Sequence, residues 1–279
     1  MNGITSELIA KFRKKLIEEE KSYATIEKYI HDIIAFDVWL GERRLDKEAV
    51  LEYKEYLAQN YAPSSVNSVI SSLNSFFAYN DLYGLKVKTL KIQKQIFSGE
   101  DKELSKAEYG RLLSAAKAKG NEKLYLLMQT ICSTGIRVSE LRYITVESLK
   151  VRKAQINMKG KMRIVILPND LCKMLIRYAR DNKIMSGSVF VSRNGKPLDR
   201  SNIWKLMKAL CESANVAREK VFPHNLRHLF ARTFYSVQKD IVRLADILGH
   251  SSVNTTRIYT METGEVHRRQ IQKLGLLRC

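Results

Sequence analysis

Arginines, histidines and one tyrosine recur in short polar stretches of the C-terminal two-thirds of the chain. Arg137 follows Ser-Thr-Gly-Ile, where the glycine permits a tight entry into a helix. His224 and Arg227 stand three residues apart and so share a helix face. His250 follows a glycine that suits a helix end, and Tyr259 lies nine residues further on. Phosphoryl transfer without a metal needs such groups: cations for the phosphate oxygens, a general acid and a nucleophile.

Each of these residues also has an ordinary structural explanation. Arg137 is spaced to pair with Glu140, and a tyrosine such as Tyr259 is often a half-buried core residue. His224 and His228 are spaced to hold zinc, but no third ligand lies at a suitable spacing. An arginine on the same helix face would also oppose a metal. We therefore rank phosphate binding above metal binding and expect no metal site.

A lysine-rich turn adds a candidate proton donor. Residues 154–158 and 162–167 alternate between polar and apolar side chains on either side of Lys159-Gly160-Lys161. That pattern predicts a β-hairpin. A lysine held at the turn can reach a phosphodiester or protonate a leaving oxygen, although most exposed turn lysines are only solvated.

The elements that hold these residues are predicted to be mainly α-helical, with one small antiparallel β-sheet. Apolar residues at helical spacing predict about four helices in residues 1–97, with N-caps at Thr25 and Ser64-Ser65 and with Pro63 opening the fourth. Residues 84–103 break this periodicity with alternating lysines. We read an extended linker there and divide the chain into domains 1–97 and 98–279.

The second domain begins with a capping box from Ser105 to Glu108. We also predict a short strand over 188–192 and a helix capped by Ser201. Further helices are predicted over 122–132, 136–144, 225–235, 241–248, 255–259 and 265–274.

Positive charge is concentrated in the second domain. The 279 residues carry 48 lysines and arginines against 29 acidic residues, a net charge of +19. Residues 1–97 hold 14 basic and 13 acidic side chains, whereas 98–279 hold 34 and 16. Nucleic acid is the commonest partner of such a charge, and a solubilising surface is the alternative. We expect a cytoplasmic protein, because no signal peptide, membrane-spanning run or disulfide-like cysteine spacing is recognisable.

Three stretches resemble the signature of the tyrosine recombinases of the phage integrase family. Thr134–Leu141 matches T-G-[LI]-R-x-x-E-L, His224–His228 matches H-x-L-R-H, and Leu248–Tyr259 matches the family's run from L-G-H to its tyrosine. The chain is most similar to the short Xer-like members. The family's hairpin lysine falls on Lys159 or Lys161, because this turn is one residue shorter than the family pattern, and we favour Lys159.

The resemblance implies how the site works. Tyr259 attacks a scissile phosphate and forms a 3′-phosphotyrosyl link, while Glu140 orients Arg137 or His224. Arginine forks hold the nonbridging oxygens, and the lysine protonates the 5′ oxygen. The implied catalytic set is Arg137, Lys159, His224, Arg227, His250 and Tyr259. The residues assigned to DNA binding are Lys161, Arg163, Lys86, Lys88, Arg43 and Arg44.

The resemblance also implies partners. Residues 1–97 are similar to the family's SAM-like core-binding domain, which together with the catalytic domain clamps duplex DNA at an inverted-repeat recombination site. Residues 262–279 are expected to form a tail that joins a homotetramer on DNA; folding back onto its own domain is the alternative. No cofactor is implied, because the covalent intermediate conserves the bond energy. The product is integration, excision, inversion or dimer resolution, as in mobile elements.

Other classes of protein remain open at this point. A type IB topoisomerase uses the same chemistry without strand exchange, and a catalytically silent DNA-binding regulator would keep the fold. All the signature residues are present, which argues against loss of activity. A metal nuclease would need a carboxylate cluster, and none lies near the histidines in the sequence.

Overall fold

The structure is a computed structural model that describes residues 4–92, 103–158, 161–192, 194–259 and 272–273. The chain divides into two compact units, Met1–Lys94 and Gln95–Cys279, and each has an apolar core of its own. Across the described ranges, no helix has the length and apolar character needed to cross a membrane.

The N-terminal unit is a bundle of four helices around an aromatic core. The side chains of Phe12, Phe36, Phe76 and Phe77 are fully buried between the helices. These four helices confirm the prediction made from the helical spacing of the apolar residues. Their bounds are α1 (Ser6–Glu18), α2 (Tyr23–Leu40), α3 (Lys47–Asn60) and α4 (Pro63–Tyr79), followed by a 3₁₀ turn over Tyr83–Leu85.

Two predicted helix starts in this bundle are wrong. The α2 helix is capped by Ser22, whose side chain accepts from the backbone N–H of Thr25. Ala62 precedes Pro63 at the start of α4, so the serines at 64 and 65 lie inside the helix. Proline at the first helical position needs no N–H partner, which allows α4 to begin one residue after an alanine that cannot cap.

The second unit is mostly helical and carries one two-stranded antiparallel sheet, as predicted. Ser105 and Glu108 form the predicted capping box. Its elements are α5 (Lys106–Ala118), α6 (Glu122–Thr134), a 3₁₀ helix (Val138–Tyr143), α7 (Val146–Val151), β1 (Lys153–Met158), β2 (Lys161–Ile166), α8 (Asn169–Asp181), α9 (Arg200–Lys208), α10 (Cys211–Ala214), a 3₁₀ turn (Arg218–Lys220), α11 (Pro223–Gln238), α12 (Ile241–Leu248), α13 (Val253–Thr256) and a last 3₁₀ turn (Arg257–Tyr259).

The predicted secondary structure of this unit differs from the structure in several places. No prediction covers α7, α8 or α10, and three predicted elements are altered. The helix over 136–144 is a 3₁₀ helix that starts after Arg137. Asp199, and not Ser201, caps α9. Residues 188–192 form only isolated bridges, which pair Ser188 with Thr145 and Val191 with Pro197. The predicted helix over 265–274, apart from 272–273, and the linker residues 93–102 lie outside the described residues.

Two glycines bring the elements of the second unit together. Gly135 ends α6 with a φ of +64°, and a Cβ there would lie 2.5 Å from the ring of Phe230 on α11. Gly249 ends α12 with a φ of +63°, and a Cβ there would lie 2.3 Å from Cδ of Arg163 on β2. Only glycine fits such a conformation and such a contact, so these two turns set how closely α6, α11, α12 and the hairpin approach.

Candidate active site

The C-terminal end of α12 gathers three arginines from three different elements. Three successive backbone carbonyls there each accept one guanidinium hydrogen bond. Carbonyls at a helix end lack partners within the helix and carry partial negative charge, which offsets the repulsion between the three cations. The bonds are Arg163 Nη1 to the Ile247 carbonyl (2.7 Å), Arg227 Nη2 to that of Leu248 (2.8 Å) and Arg137 Nη2 to that of Gly249 (3.1 Å). We call this arrangement the α12 terminus.

Glu140 supplies the negative charge next to these arginines. Its side chain is 3% exposed, and its two oxygens accept from Arg137 Nη1 at 2.8 Å and from Arg163 Nη2 at 2.5 Å. The backbone N–H of Arg137 donates to the same carboxylate at 2.9 Å. Burial raises the pKa of Glu140, but the hydrogen bonds from Arg163 and Arg137 together with the charge of Arg163 outweigh it and lower the pKa overall. The carboxylate is therefore ionised at neutral pH and fixes both guanidinium groups.

Arg227 is the most deeply buried of the three arginines, with 1% of its surface exposed. It lies on the first turns of α11, and Nη1 donates to the carbonyl of Gly135. Burial, reinforced by the charge of Arg137, lowers the pKa of Arg227 to about 10. The guanidinium stays protonated at neutral pH, because this value is well above 7. Among the described residues, its Nε is a buried donor without a hydrogen-bond partner.

His250 is held in one tautomer by its two neighbours. Nε2 lies 2.9 Å from Nη2 of Arg227, and Nδ1 lies 2.9 Å from the hydroxyl of Thr256. A guanidinium only donates, so Nε2 accepts and Nδ1 carries the proton that is donated to Thr256. Burial and the charge of Arg227, followed by those of Arg137 and Arg163, lower the pKa of His250 to about 4. The ring is therefore neutral at physiological pH.

Tyr259 lies at the end of a row of aromatic rings. The ring of His228 is 4.4 Å from that of His224 and 4.8 Å from that of Tyr259, edge to face in both cases. The His250 ring stacks against Tyr259 at 6.0 Å. Burial lowers the pKa of His228 to about 4, with smaller contributions from His224 and Arg227.

The tyrosine ring itself is 3% exposed and packs in an apolar cluster with Ala231, Leu244 and Leu248. It is buried more completely than the half-buried position considered from the sequence.

Open space surrounds Arg137. Its side chain is 39% exposed and lines two cavities. One cavity, of about 760 Å³, is bordered by the hairpin residue Met162 and by His250. The other, of about 320 Å³, is bordered by His224 and by Trp204 of α9. His224 is exposed to solvent, and partial burial together with the charges of Arg227, Arg200 and Arg137 lowers its pKa.

The structure therefore brings five of the six sequence-predicted catalytic residues of this unit into one region. Lys159 lies outside the described residues, and of Lys161 only the backbone in β2 is described. Glu140 was expected to orient either Arg137 or His224, and in the structure it contacts Arg137. Thr256, the hydrogen-bond partner of His250, was not predicted from the sequence, because a threonine six residues after a histidine is not by itself a recognisable motif.

The six residues assigned to DNA binding have different surroundings. Arg163 is turned inward and is 15% exposed. Arg43 stacks on the Trp39 ring at 3.9 Å and donates to the carbonyl of Leu40, which ties it to the end of α2. Arg44, Lys86 and Lys88 leave their side chains at least partly in solvent, and Lys86 lies 5.7 Å from the ring centre of Tyr83. Within the ranges described, no group of three histidine, cysteine or acidic residues is placed to hold a metal ion.

The helical domain places anchored arginines and a histidine on an open cavity, and it packs a buried tyrosine against His228 and His250. This set of groups suits one class of protein: enzymes that break and rejoin DNA through a tyrosine. Models of known families agree with this class. The phage integrase family matches residues 102–265, and the phage integrase N-terminal SAM-like domain matches residues 8–81. The chain belongs to the phage integrase family and is a tyrosine recombinase similar to the Xer proteins.

Individual relatives support the same assignment. Tyrosine recombinase XerA of Pyrococcus furiosus is 28% identical over 284 residues, which cover 98% of this chain and 96% of the relative. The XerH recombinase bound to its difH substrate has a TM-score of 0.70 at 22% identity, with 92% and 82% of the two chains covered. A lambda integrase tetramer bound to a Holliday junction has a TM-score of 0.72 at 17% identity, with 92% and 77% covered. At these low sequence identities, the two structural matches show that the fold is shared.

Proposed function

We propose that this recombinase cleaves duplex DNA at a specific site by attack of Tyr259 on the scissile phosphate. The phenolic oxygen forms a bond to phosphorus, the bond from phosphorus to the 5′ oxygen breaks, and a 3′-phosphotyrosyl link and a 5′-hydroxyl remain. One phosphoester replaces another, so the step needs no energy source. The observation that carries the proposal is the anchoring of Arg137 and Arg227 on successive carbonyls of the α12 terminus, beside Tyr259.

Each residue of the site has a part in this step. Arg137, the exposed guanidinium, and Arg227, the buried one, stabilise the charge that develops on the nonbridging oxygens. Lys159 gives a proton to the leaving 5′ oxygen. His224 acts as the base for the phenolic proton of Tyr259 or as its relay, and the ring of His228 packs against both residues. Rejoining reverses these transfers with a 5′-hydroxyl from another strand.

The DNA partner is proposed to be a duplex with an inverted-repeat site, bound by a homotetramer. The charge of residues 98–279 supports DNA binding, and the lambda integrase tetramer supports the assembly. Residues 262–279 would join neighbouring subunits, although this tail lies outside the described residues except for 272–273. Such an enzyme would work in the cytoplasm, on a mobile element or a chromosome. Truncation after Thr263 is expected to abolish tetramers on DNA; tetramers of unchanged abundance would contradict the role of the tail.

A trapping experiment tests the proposal. The target duplex is first recovered by selecting bound DNA from a randomised library, and is then synthesised with a nick beside the scissile phosphate so that the freed fragment diffuses away. We expect a covalent protein–DNA species on a denaturing gel for the wild type. Tyr259→Phe should form none, whereas Tyr235→Phe, a matched change beside the same apolar cluster, should form as much as the wild type. Absence of the species from the wild type, or its persistence in Tyr259→Phe, would refute the proposed function.

A further inference from the structure

An arginine occupies the inward face of the hairpin, where a strand normally places an apolar residue. Arg163 of β2 pairs in register with Ile156 of β1, and both Ile156 and the next inward residue, Val165, are buried. The residues on either side, Met162 and Ile164, are more than half exposed on the outer face. A charge turned into an apolar face is costly unless its hydrogen bonds are satisfied. Arg163 is therefore held there by specific partners.

Those partners lie on two other elements of the domain. Nη2 of Arg163 donates to Glu140 at 2.5 Å, and Nη1 donates to the carbonyl of Ile247 at 2.7 Å. Gly249 covers the side chain so closely that a Cβ at that position would lie 2.3 Å from Cδ of Arg163. Both terminal nitrogens are engaged and the stem is covered, while Nε is buried and has no hydrogen-bond partner among the described residues, so this side chain is not free to reach DNA.

The contacts of Arg163 continue to the exposed arginine of the site. Glu140 Oε2 accepts from Arg163 and from the backbone N–H of Arg137, and Oε1 accepts from Arg137 Nη1. One buried carboxylate thus links the mostly buried arginine of the hairpin to the more exposed Arg137, and both arginines border the open cavity. A lysine could not replace Arg163 fully, because only the guanidinium fork reaches two acceptors in different directions.

We propose that Arg163 is a positioning residue of strand cleavage: it fastens the hairpin to the α12 terminus and, through Glu140, sets where Arg137 meets the scissile phosphate. The inference rests on the proposed function. It replaces the sequence-based expectation that Arg163 binds DNA. The geometry makes three elements, β2, the 3₁₀ helix over Val138–Tyr143 and α12, dependent on one side chain.

The test compares Arg163→Met and Arg163→Lys with Arg142→Met, which removes an exposed arginine from the same 3₁₀ helix as Glu140. Single-turnover cleavage is measured on the nicked, library-selected duplex at saturating protein and at a temperature where circular dichroism shows each variant folded. We expect Arg163→Met to slow cleavage about 100-fold, the effect of a displacement of about 1 Å in a site. Arg163→Lys should recover part of this rate, and Arg142→Met should stay within about threefold of the wild type.

A second substrate separates positioning from general damage to the domain. A methylphosphonate at the scissile position replaces one charged nonbridging oxygen with a neutral methyl group, so a misplaced Arg137 matters less. The ratio of wild-type to Arg163→Met rates should therefore fall at least several-fold on this substrate. An equal ratio on both substrates would overturn the proposal, because an unfolded or distorted fraction slows both alike.

The salt dependence of DNA binding tests whether Arg163 contacts DNA directly. The slope of log affinity against log salt should be the same for Arg163→Met and the wild type, because the side chain contacts protein. A slope smaller by about 1 would mean that Arg163 contacts a phosphate, and would overturn the proposal. If the wild type itself forms no covalent species, the proposed function fails first. If the wild type cleaves and Arg163→Met cleaves equally well, the inference alone fails.

Discussion

Glu140→Gln is the substitution that most directly tests how the site is held together. Glutamine keeps the volume of the side chain but removes the charge, and it places an NH₂ group opposite guanidinium donors. The carboxylate is 3% exposed and serves Arg137 and Arg163 together. Removing one member of a buried ion pair costs about 3–5 kcal/mol, because the remaining charges are left without compensation. Stability rather than activity is therefore the direct measure of this carboxylate.

The expected loss can be expressed as a melting temperature. In a domain of about 150–250 residues, 1 kcal/mol shifts Tm by about 2–4 °C, so we expect Tm to fall by about 6 °C or more at pH 7. Thermal unfolding followed by circular dichroism at 222 nm measures it. Glu212→Gln is the control, because Glu212 is exposed on α10 and such surface changes stay within about 0.5 kcal/mol.

The pH dependence of this loss has a definite sign. The pKa of Glu140 is lowered in the folded protein, so its stabilisation is complete above the unfolded value of about 4.3 and is lost as the pH falls through the folded value. The Tm difference between wild type and Glu140→Gln should stay constant from about pH 8 to 5 and narrow below about 4.3. A decrease in Tm of less than about 2 °C at pH 7, or a difference that acid leaves unchanged, would refute this account of the carboxylate.

Three further predictions concern the neighbours of these arginines. Gly249→Ala should lower Tm more than Gly120→Ala, because both residues have a φ of +63° but only at Gly249 would the new Cβ meet another atom, at 2.3 Å; equal decreases would contradict the close contact. Thr256→Val removes the acceptor of His250 Nδ1 and should slow single-turnover cleavage about 5- to 10-fold, the worth of one hydrogen bond, with an unchanged rate as the contrary result. His228 has a pKa of about 4 when folded and about 6.5 when unfolded, so it removes stability as the pH falls from 6.5 towards 4. His228→Gln should therefore make the dependence of Tm on pH between about 6.5 and 5 less steep and leave the contribution of His250, whose pKa is also lowered to about 4; an unchanged slope would contradict the lowered pKa of His228.

Much of the fold could be predicted from the sequence, because its signals are local and periodic. The helical spacing of apolar residues predicted α1 to α4 and most helices of the second unit. The alternation of polar and apolar residues predicted the hairpin. Two of the errors concern helix starts at which two nearby residues are both suitable N-caps. Ser22 and Thr25 are both suitable caps three residues apart, and their hydroxyls in fact lie 2.8 Å from each other. The α9 helix likewise offers both Asp199 and Ser201, and Asp199 makes the cap by accepting from the backbone N–H of Asn202.

The candidate site was predictable for the residues that carry its charge, and less so for the groups that hold them. The arginines and histidines stand out in the sequence by type and spacing, whereas the acceptors of three arginines are backbone carbonyls that any residue possesses. A signal for Arg163 did exist. The alternation that predicts the hairpin puts it on the same face as Ile156 and Val165, which argues for an internal partner instead of a DNA contact.

The α12 terminus also determines when the enzyme becomes competent during its synthesis and folding. Two of its three hydrogen bonds join residues far apart in the chain: Arg137 and Gly249 are separated by 112 positions and Arg163 and Ile247 by 84, whereas Arg227 and Leu248 are separated by 21. Contacts of such long sequence separation form only after long loops have closed, and thus late in folding. A nascent or partly folded chain therefore contains the cations and the tyrosine but no pocket. The capacity to cut DNA arises only when the domain is complete.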